Sequence, residues 1–256
     1  MPQIERETYN NYIFLTFDMD WVCDEIMEHT LEILEANQLS STIFITHETP
    51  LLERMKKNIN LELGIHPNFN ELLNHNSIYS AQEIIADYMK IVPEAISVRT
   101  HALASGTLLS RLFCQAGLRY ESNIYYHVAD GRIPQPYKEP GGMIRLLHFW
   151  EDDCQCIHIR NGEEKDWDVT RFLNYDGIKI FDFHPIHVFL NTSDLELYEK
   201  TRPFHRNRNE LSRYCNKSMT EGSGAFLRGV IREAKERGLK FGKISDIVLD
   251  KEEKRI

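Results

Sequence analysis

Four short apolar runs in this chain each break off into a knot of polar side chains, and that arrangement constrains the fold more than any other feature. The runs are 12–17, 61–65, 95–99 and 178–183. Their ends carry Thr16-Phe17-Asp18-Met19-Asp20, His66-Pro67-Asn68-Phe69-Asn70, Arg99-Thr100-His101 and Asp182-Phe183-His184-Pro185-Ile186-His187. Short apolar runs bounded by turn or polar residues are the pattern of buried strands. A further strand is expected at 42–46. Between the runs lie stretches with helical character at 24–37, 49–57, 81–91 (stopped by Pro93) and 106–116. In the first, Ile26, Met27, Thr30, Leu31 and Leu34 form one stripe, with Asp24 as the expected N-cap. Strand and helix alternate to about residue 123, which implies an α/β fold with a parallel sheet or barrel.

Beyond residue 130 the pattern loosens. Residues 131–143 are rich in turn formers and read as a surface loop, 143–149 is strand-like, 224–237 is an amphipathic helix, and 239–249 has room for a last short strand and turn. No repeat, low-complexity stretch or linker interrupts the chain, so residues 1–256 read as one domain. Single α/β barrels run to about 250 residues.

Taken singly, each polar knot has an ordinary reading. Asp18 and Asp20 fit a solvated strand end, His66-Pro67 a plain turn, Arg99 a surface cation and His184 a core histidine. Together they point to one site, because sites in parallel α/β sheets form at the C-terminal ends of the strands. Asp18 and Asp20 share a face at strand period two. His66 and Asn70, four apart, share a face if a helical turn follows, and proline suits the first helical position.

Charge and composition narrow the function classes. Apolar residues make up 42% and charged residues 27%, as in an ordinary globular protein. Thirty Lys and Arg against 39 Asp and Glu give a net charge of −9, which argues against nucleic acid and anionic membrane surfaces as partners. Five cysteines (Cys23, Cys114, Cys154, Cys156 and Cys215) without a CxxC pair are expected to be reduced thiols. The polar start and the shortness of every apolar run predict a soluble, cytoplasmic protein with no transmembrane segment.

The ordered set of motifs resembles the NodB-homology polysaccharide deacetylases, carbohydrate esterase family 4. The family's T-F-D-D motif is matched by Thr16-Phe17-Asp18-Met19-Asp20, its H-x-x-x-H by His66 to Asn70, its third-motif arginine by Arg99 and its last histidine by His184. Together with FWEDD (149–153) and FHPIHVFLNT (183–192), these are similar to a branch found in O-antigen and surface-polysaccharide biosynthesis clusters. Two departures stand out. Met19 separates the two acids, and Asn70 replaces the second histidine, a weaker zinc ligand.

The resemblance implies a distorted (β/α) barrel of about seven parallel strands. It also implies hydrolysis of an N-acetyl or other N-acyl group on a sugar, nucleotide- or lipid-linked, during surface-polysaccharide assembly. One divalent metal, zinc foremost with Co, Ni or Mn as alternatives, would be held by Asp20, His66 and Asn70. Asp18 would be the base, oriented by Arg99, and His184 the acid. His101, His187, Trp150 and Asp152, in the acidic run Glu151-Asp152-Asp153, are candidate substrate contacts, and Trp21 and Trp150 could stack on a sugar face. A two-metal amidohydrolase fits less well, because its H-x-H pair on the first strand is missing. A non-catalytic carbohydrate-binding or assembly protein is the alternative, and Asn70 is the residue that favours it. The acyl group, the exact sugar and the oligomeric state stay open.

Overall fold

The structure is a computed structural model that describes residues 6–128 and 131–249. Its frame is a mostly parallel sheet that curls back on itself. In chain order the strands are β1 (Tyr12–Asp18), β2 (Ser41–Ile45), β3 (Leu61–Ile65), β4 (Ser97–Val98), β5 (Tyr120–Tyr125), β6 (Tyr137–Lys138), β7 (Ile144–His148), β8 (Trp150–Glu151), β9 (Lys179–Phe183) and β10 (Lys240–Gly242). Across the sheet they run β6-β7-β5-β4-β3-β2-β1-β9-β8.

The two ends of that order meet in one stretch of chain. β7 pairs with β5, and two residues later β8 pairs with β9, both in parallel. The run 144–151 therefore lies against both flanks of the sheet and completes a distorted barrel of seven staves, with β10 sharing an edge of β1 with β2. β6 is an exposed antiparallel flap on β7. Because all seven staves are parallel, their C-terminal ends open on one face.

Burial explains why the apolar runs became staves. In β1, Ile13, Phe14, Leu15 and Phe17 are completely buried. Phe17 stacks on Phe183 of β9 at 5.7 Å between ring centroids. Gly64 in β3 lets the neighbouring staves close in, since a Cβ there would stand 2.6 Å from both the Phe44 ring and Ser97 Oγ.

The helices depart from the sequence expectation in instructive ways. The 24–37 stripe forms the helix Asp24–Ala36, but Cys23 occupies the N-cap and Asp24 is already helical, its carboxylate taken by the Thr49 hydroxyl. The 49–57 stretch yields a shorter helix, Leu52–Lys57. Ala81–Ile91 is set by a Ser80/Glu83 capping box. The strand expected at 95–99 shrinks to Ser97–Val98. Within the segment read as a surface loop, Ile133 is buried and Tyr137–Lys138 adds the β6 flap. β5 and the helix Asp152–Arg160 have no counterpart in the sequence reading. No helix among the described residues is long and apolar enough to cross a membrane.

Candidate functional site

The polar knots converge at the C-terminal end of the barrel around Arg99. This side chain has no exposed surface, and every part of its guanidinium is used. Nη1 donates to Asp18 Oδ1 at 3.0 Å, to Thr16 Oγ1 at 2.9 Å and to Asp182 Oδ1. Nε donates to the Ser122 carbonyl at 3.0 Å and Nη2 to Ser122 Oγ at 2.9 Å, while the Phe44 ring lies 4.7 Å below the guanidinium carbon. A buried arginine tied this completely is a fixed positive charge, and it leaves Asp18 Oδ2 as that carboxylate's free oxygen.

Three further carboxyls crowd the same floor. Burial pushes Asp182 well above the usual carboxylate range in spite of Arg99, with Asp18 adding to the shift. Glu151, the register partner of Asp182 across β8 and β9, is also pushed well up by burial and by Asp153 and Asp182. His148 Nε2 lies 3.1 Å from Glu151 Oε2, and burial holds that ring well below the usual histidine range. Asp152, by contrast, is held below the usual range. Burial opposes its ionisation, but the adjacent His184 and His187 and the Ser223 hydroxyl outweigh it.

Toward solvent stands a group of three possible metal donors, Asp20, His66 and His101. Asp20 Oδ1 lies 3.1 Å from His66 Nε2 and 3.1 Å from His101 Nδ1. Burial would raise the Asp20 carboxyl, but the His101 hydrogen bond and the neighbouring His66 and His184 rings hold it well below the usual range. His66 is 1% exposed, yet neither ring nitrogen makes a hydrogen bond; Nδ1 is 3.5 Å from Asp18 Oδ2, too far for one. Both ring nitrogens thus face carboxylate oxygens, Nδ1 toward Asp18 and Nε2 toward Asp20, without a well-aligned hydrogen bond, an arrangement that suits a shared cation.

The spacing agrees. Donors around a tetrahedral ion at about 2.0–2.2 Å lie roughly 3.3–3.6 Å apart. The residues present thus fit a divalent metal.

The backbone that carries these donors is unusual. Asp20 and Trp21 have φ of 43° and 53°, and Ala102 and Leu103, just past His101, have φ of 54° and 53°. Left-handed conformations in a tryptophan and two aliphatic residues store strain, which persists only where the surroundings impose it. Asn123 on β5 helps impose it: its Oδ1 accepts the Thr100 N–H at 2.7 Å and its amide donates to the Ala104 carbonyl, bracketing His101.

His184 completes the cluster from β9. Its Nδ1 is 2.8 Å from Asp152 Oδ1, and Nε2 faces Asp20 Oδ2 at 3.8 Å. Burial works against its charge, but Asp152 outweighs it, so the ring titrates well above an ordinary histidine.

The sequence-derived candidates part company in the structure. Asp18, Asp20, His66, Arg99, His101, Asp152 and His184 are brought together. His187 sits behind His184, buried, with Nδ1 3.0 Å from Thr192 Oγ1. Asn70 opens the short helix Asn70–Leu73, its N–H donating to Asn68 Oδ1, while His101 Nδ1 stands 3.1 Å from Asp20 Oδ1. Trp150 is 1% exposed and stacks on Phe226 at 4.2 Å, so it has no face to offer a sugar.

Sequence reasoning did not assign roles to Thr16, Ser122, Asn123, Asp182 or Ser223. A charged residue inside an apolar strand, as in Ile180-Phe181-Asp182-Phe183, was the signal available for Asp182.

Comparison with known proteins meets this geometry. A family model described as WbmS-like polysaccharide deacetylase matches residues 15–202. The crystal structure of WbmS from Bordetella bronchiseptica, described as a polysaccharide deacetylase involved in O-antigen biosynthesis, is 38% identical. It covers 89% of this chain and 93% of its own at a TM-score of 0.82. The chitin deacetylase of the fungal pathogen Colletotrichum lindemuthianum shares the fold at 14% identity and a TM-score of 0.50, over 98% of this chain and 93% of its own. A search of curated proteins found no match. The family model spans most of the chain, and the 38% identical structure carries the match over nearly all of it; the chain belongs to the WbmS-like polysaccharide deacetylase family.

Proposed function

We propose that this chain is a metal-dependent deacetylase that hydrolyses the N-acyl amide of a sugar in surface-polysaccharide assembly. The observation that carries the reading is the buried His66 imidazole, whose nitrogens face Asp18 and Asp20 without a well-aligned hydrogen bond, with His101 across from it. We assign the metal to Asp20, His66 and His101, in place of the Asn70 that the family motif would suggest. Two imidazoles and a carboxylate suit zinc, with Co, Ni or Mn as substitutes. When bound, such an ion supplies Lewis-acid polarisation of the acyl oxygen and lowers the pKa of a water molecule.

The protein's own groups do the rest. Asp18 Oδ2, free while Oδ1 is held by Arg99, takes the proton from the attacking water. Arg99 keeps that carboxylate in one rotamer. His184, its Nδ1 held by Asp152, carries the proton on Nε2 and delivers it to the amide nitrogen as the amine leaves. The mostly buried floor excludes bulk water and strengthens each of these contacts. Trp21, 39% exposed and edge-on to His101 at 5.1 Å, is placed to meet the sugar ring. We assign the substrate to the N-acylated sugars, nucleotide- or lipid-linked.

Metal analysis tests the reading. Purified protein is expected to hold about one divalent ion per chain and to release acetate or formate from N-acylated sugar nucleotides. His66→Ala and His101→Ala should lose the metal and at least ~100-fold in turnover, whereas Asn70→Ala should keep the metal. Asp18→Asn should keep the metal and lose ~100-fold or more in kcat. Protein that binds no ion at micromolar concentrations would instead support the non-catalytic carbohydrate-binding alternative.

A further inference from the structure

The triplet Gly222-Ser223-Gly224 opens the long helix Ser223–Glu236, and the reaction proposed above does not use it. Its composition is dictated by what it touches. Gly222 has φ of +105°, and a Cβ there would stand 2.3 Å from the Asn191 carbonyl oxygen. A Cβ on Gly224 would stand 2.5 Å from the Val188 carbonyl oxygen. The triplet is thus pressed against the end of the helix Pro185–Leu190, the element that begins at His184.

Asn191 fastens it there. In a left-handed conformation with φ of 51°, this residue donates its amide to the carbonyls of Asn216, Ser218 and Glu221 at 2.9–3.1 Å. Its Oδ1 accepts the Ala225 N–H at 2.7 Å, and the Ser223 N–H donates to the Thr192 carbonyl at 2.9 Å.

Gly222 holds the N-cap position, so Ser223, one residue later, does not commit its hydroxyl to capping its own helix. Fully buried, it donates Oγ–H to Asp152 Oδ2 at 2.7 Å. The same Oδ2 accepts the His184 backbone N–H at 3.0 Å, while Oδ1 faces His184 Nδ1 at 2.8 Å and the Asp153 N–H at 3.1 Å. Without the serine, Oδ2 would keep one bond, and the carboxylate could turn about its own axis. The imidazole it holds would then lose its aim at Asp20, where Nε2 stands at 3.8 Å.

We infer that Ser223 is a positioning residue for His184: it locks the Asp152 carboxylate, and the flanking glycines and Asn191 bring its hydroxyl into reach. This rests on the reading of His184 as the proton donor, but its structural core is testable without turnover. The His184 Nδ1–H proton, hydrogen-bonded to a carboxylate, gives a far-downfield NMR resonance that Asp152→Asn identifies by displacing it. Ser223→Ala should move that resonance, with Ser223→Cys, which keeps a weak donor of similar size, in between. An unmoved resonance in folded Ser223→Ala overturns the inference, whatever the activity.

In turnover, Ser223→Ala should lower kcat roughly tenfold with KM little changed. The same change in an Asp152→Asn background should alter kcat by less than about twofold. Equal losses in both backgrounds would mark Ser223 as a packing residue and overturn the inference. If the wild-type protein releases no acetate yet the resonance moves, the proposed reaction fails and the serine's role stands.

Discussion

Two tryptophans that look alike in the sequence have opposite parts in the structure. Trp150 lies between Phe183 and Phe226 with almost no exposed surface, whereas Trp21 stands at the rim of the donor group in a left-handed conformation. Trp150→Ala should cost about 3–5 kcal/mol of unfolding free energy, measured by denaturant titration. Trp21→Ala should leave stability within about 1 kcal/mol and raise KM for the sugar with metal content unchanged. The reverse pattern would remove Trp21 from the substrate site. Much of the cluster was legible residue by residue, because Asp18, Asp20, His66, Arg99 and His184 each interrupt or end an apolar run. The approach of His101 to Asp20 was not, since its placement depends on the strained backbone at Ala102 and Leu103, which no local pattern reveals. Asn70 was read as a donor from its spacing to His66, and the structure places it at the first residue of the helix Asn70–Leu73.

At the level of elements, the staves announced by apolar runs formed, and the missed ones share a cause. β5 carries Glu121, Ser122 and Asn123, all buried. Its polar residues are matched from afar: Glu121 pairs with Arg145 of β7, and Ser122 and Asn123 serve Arg99 and Thr100. The helix Asp152–Arg160 hides for the same reason, since its first residue is buried for His184 rather than exposed. Polarity that is satisfied by distant partners erases the periodicity on which reading depends.

β9 carries a second such residue at its other end. Lys179 is 2% exposed, and burial lowers its ammonium to about 8. The folded chain therefore sheds this proton before the unfolded chain does, and stability rises as pH climbs from about 8 toward about 10.4, the ordinary lysine value. Below pH 8 the buried charge is a cost. Lys179→Met should raise Tm at pH 7 by about 2–4 °C, roughly 1 kcal/mol, and the gain should shrink by pH 10. A gain that grows with pH would contradict the assignment.

On the scale of the whole molecule, the barrel gathers groups that are distant in sequence at one mouth, which is why single-strand reading foresaw a site but not its full membership. The closure is uneven. β1 and β9 are in register over five residues, whereas β8 meets β9 over two, Trp150 with Phe181 and Glu151 with Asp182. Hydrogen exchange is expected to be faster for the amides of Phe149, Trp150 and Glu151 than for Leu15 and Phe17 in the middle of β1. Equal protection would mean the ring opens elsewhere. The run 144–151 then behaves as a clasp. If it loosens, Asp152, which directly follows it, shifts off His184 while Asp18 on β1 and Arg99 just past β4 keep their contact. If His184 and Asp18 act as proposed, warming would unseat the proton donor before the base, and activity should fade at temperatures where most of the chain is still folded.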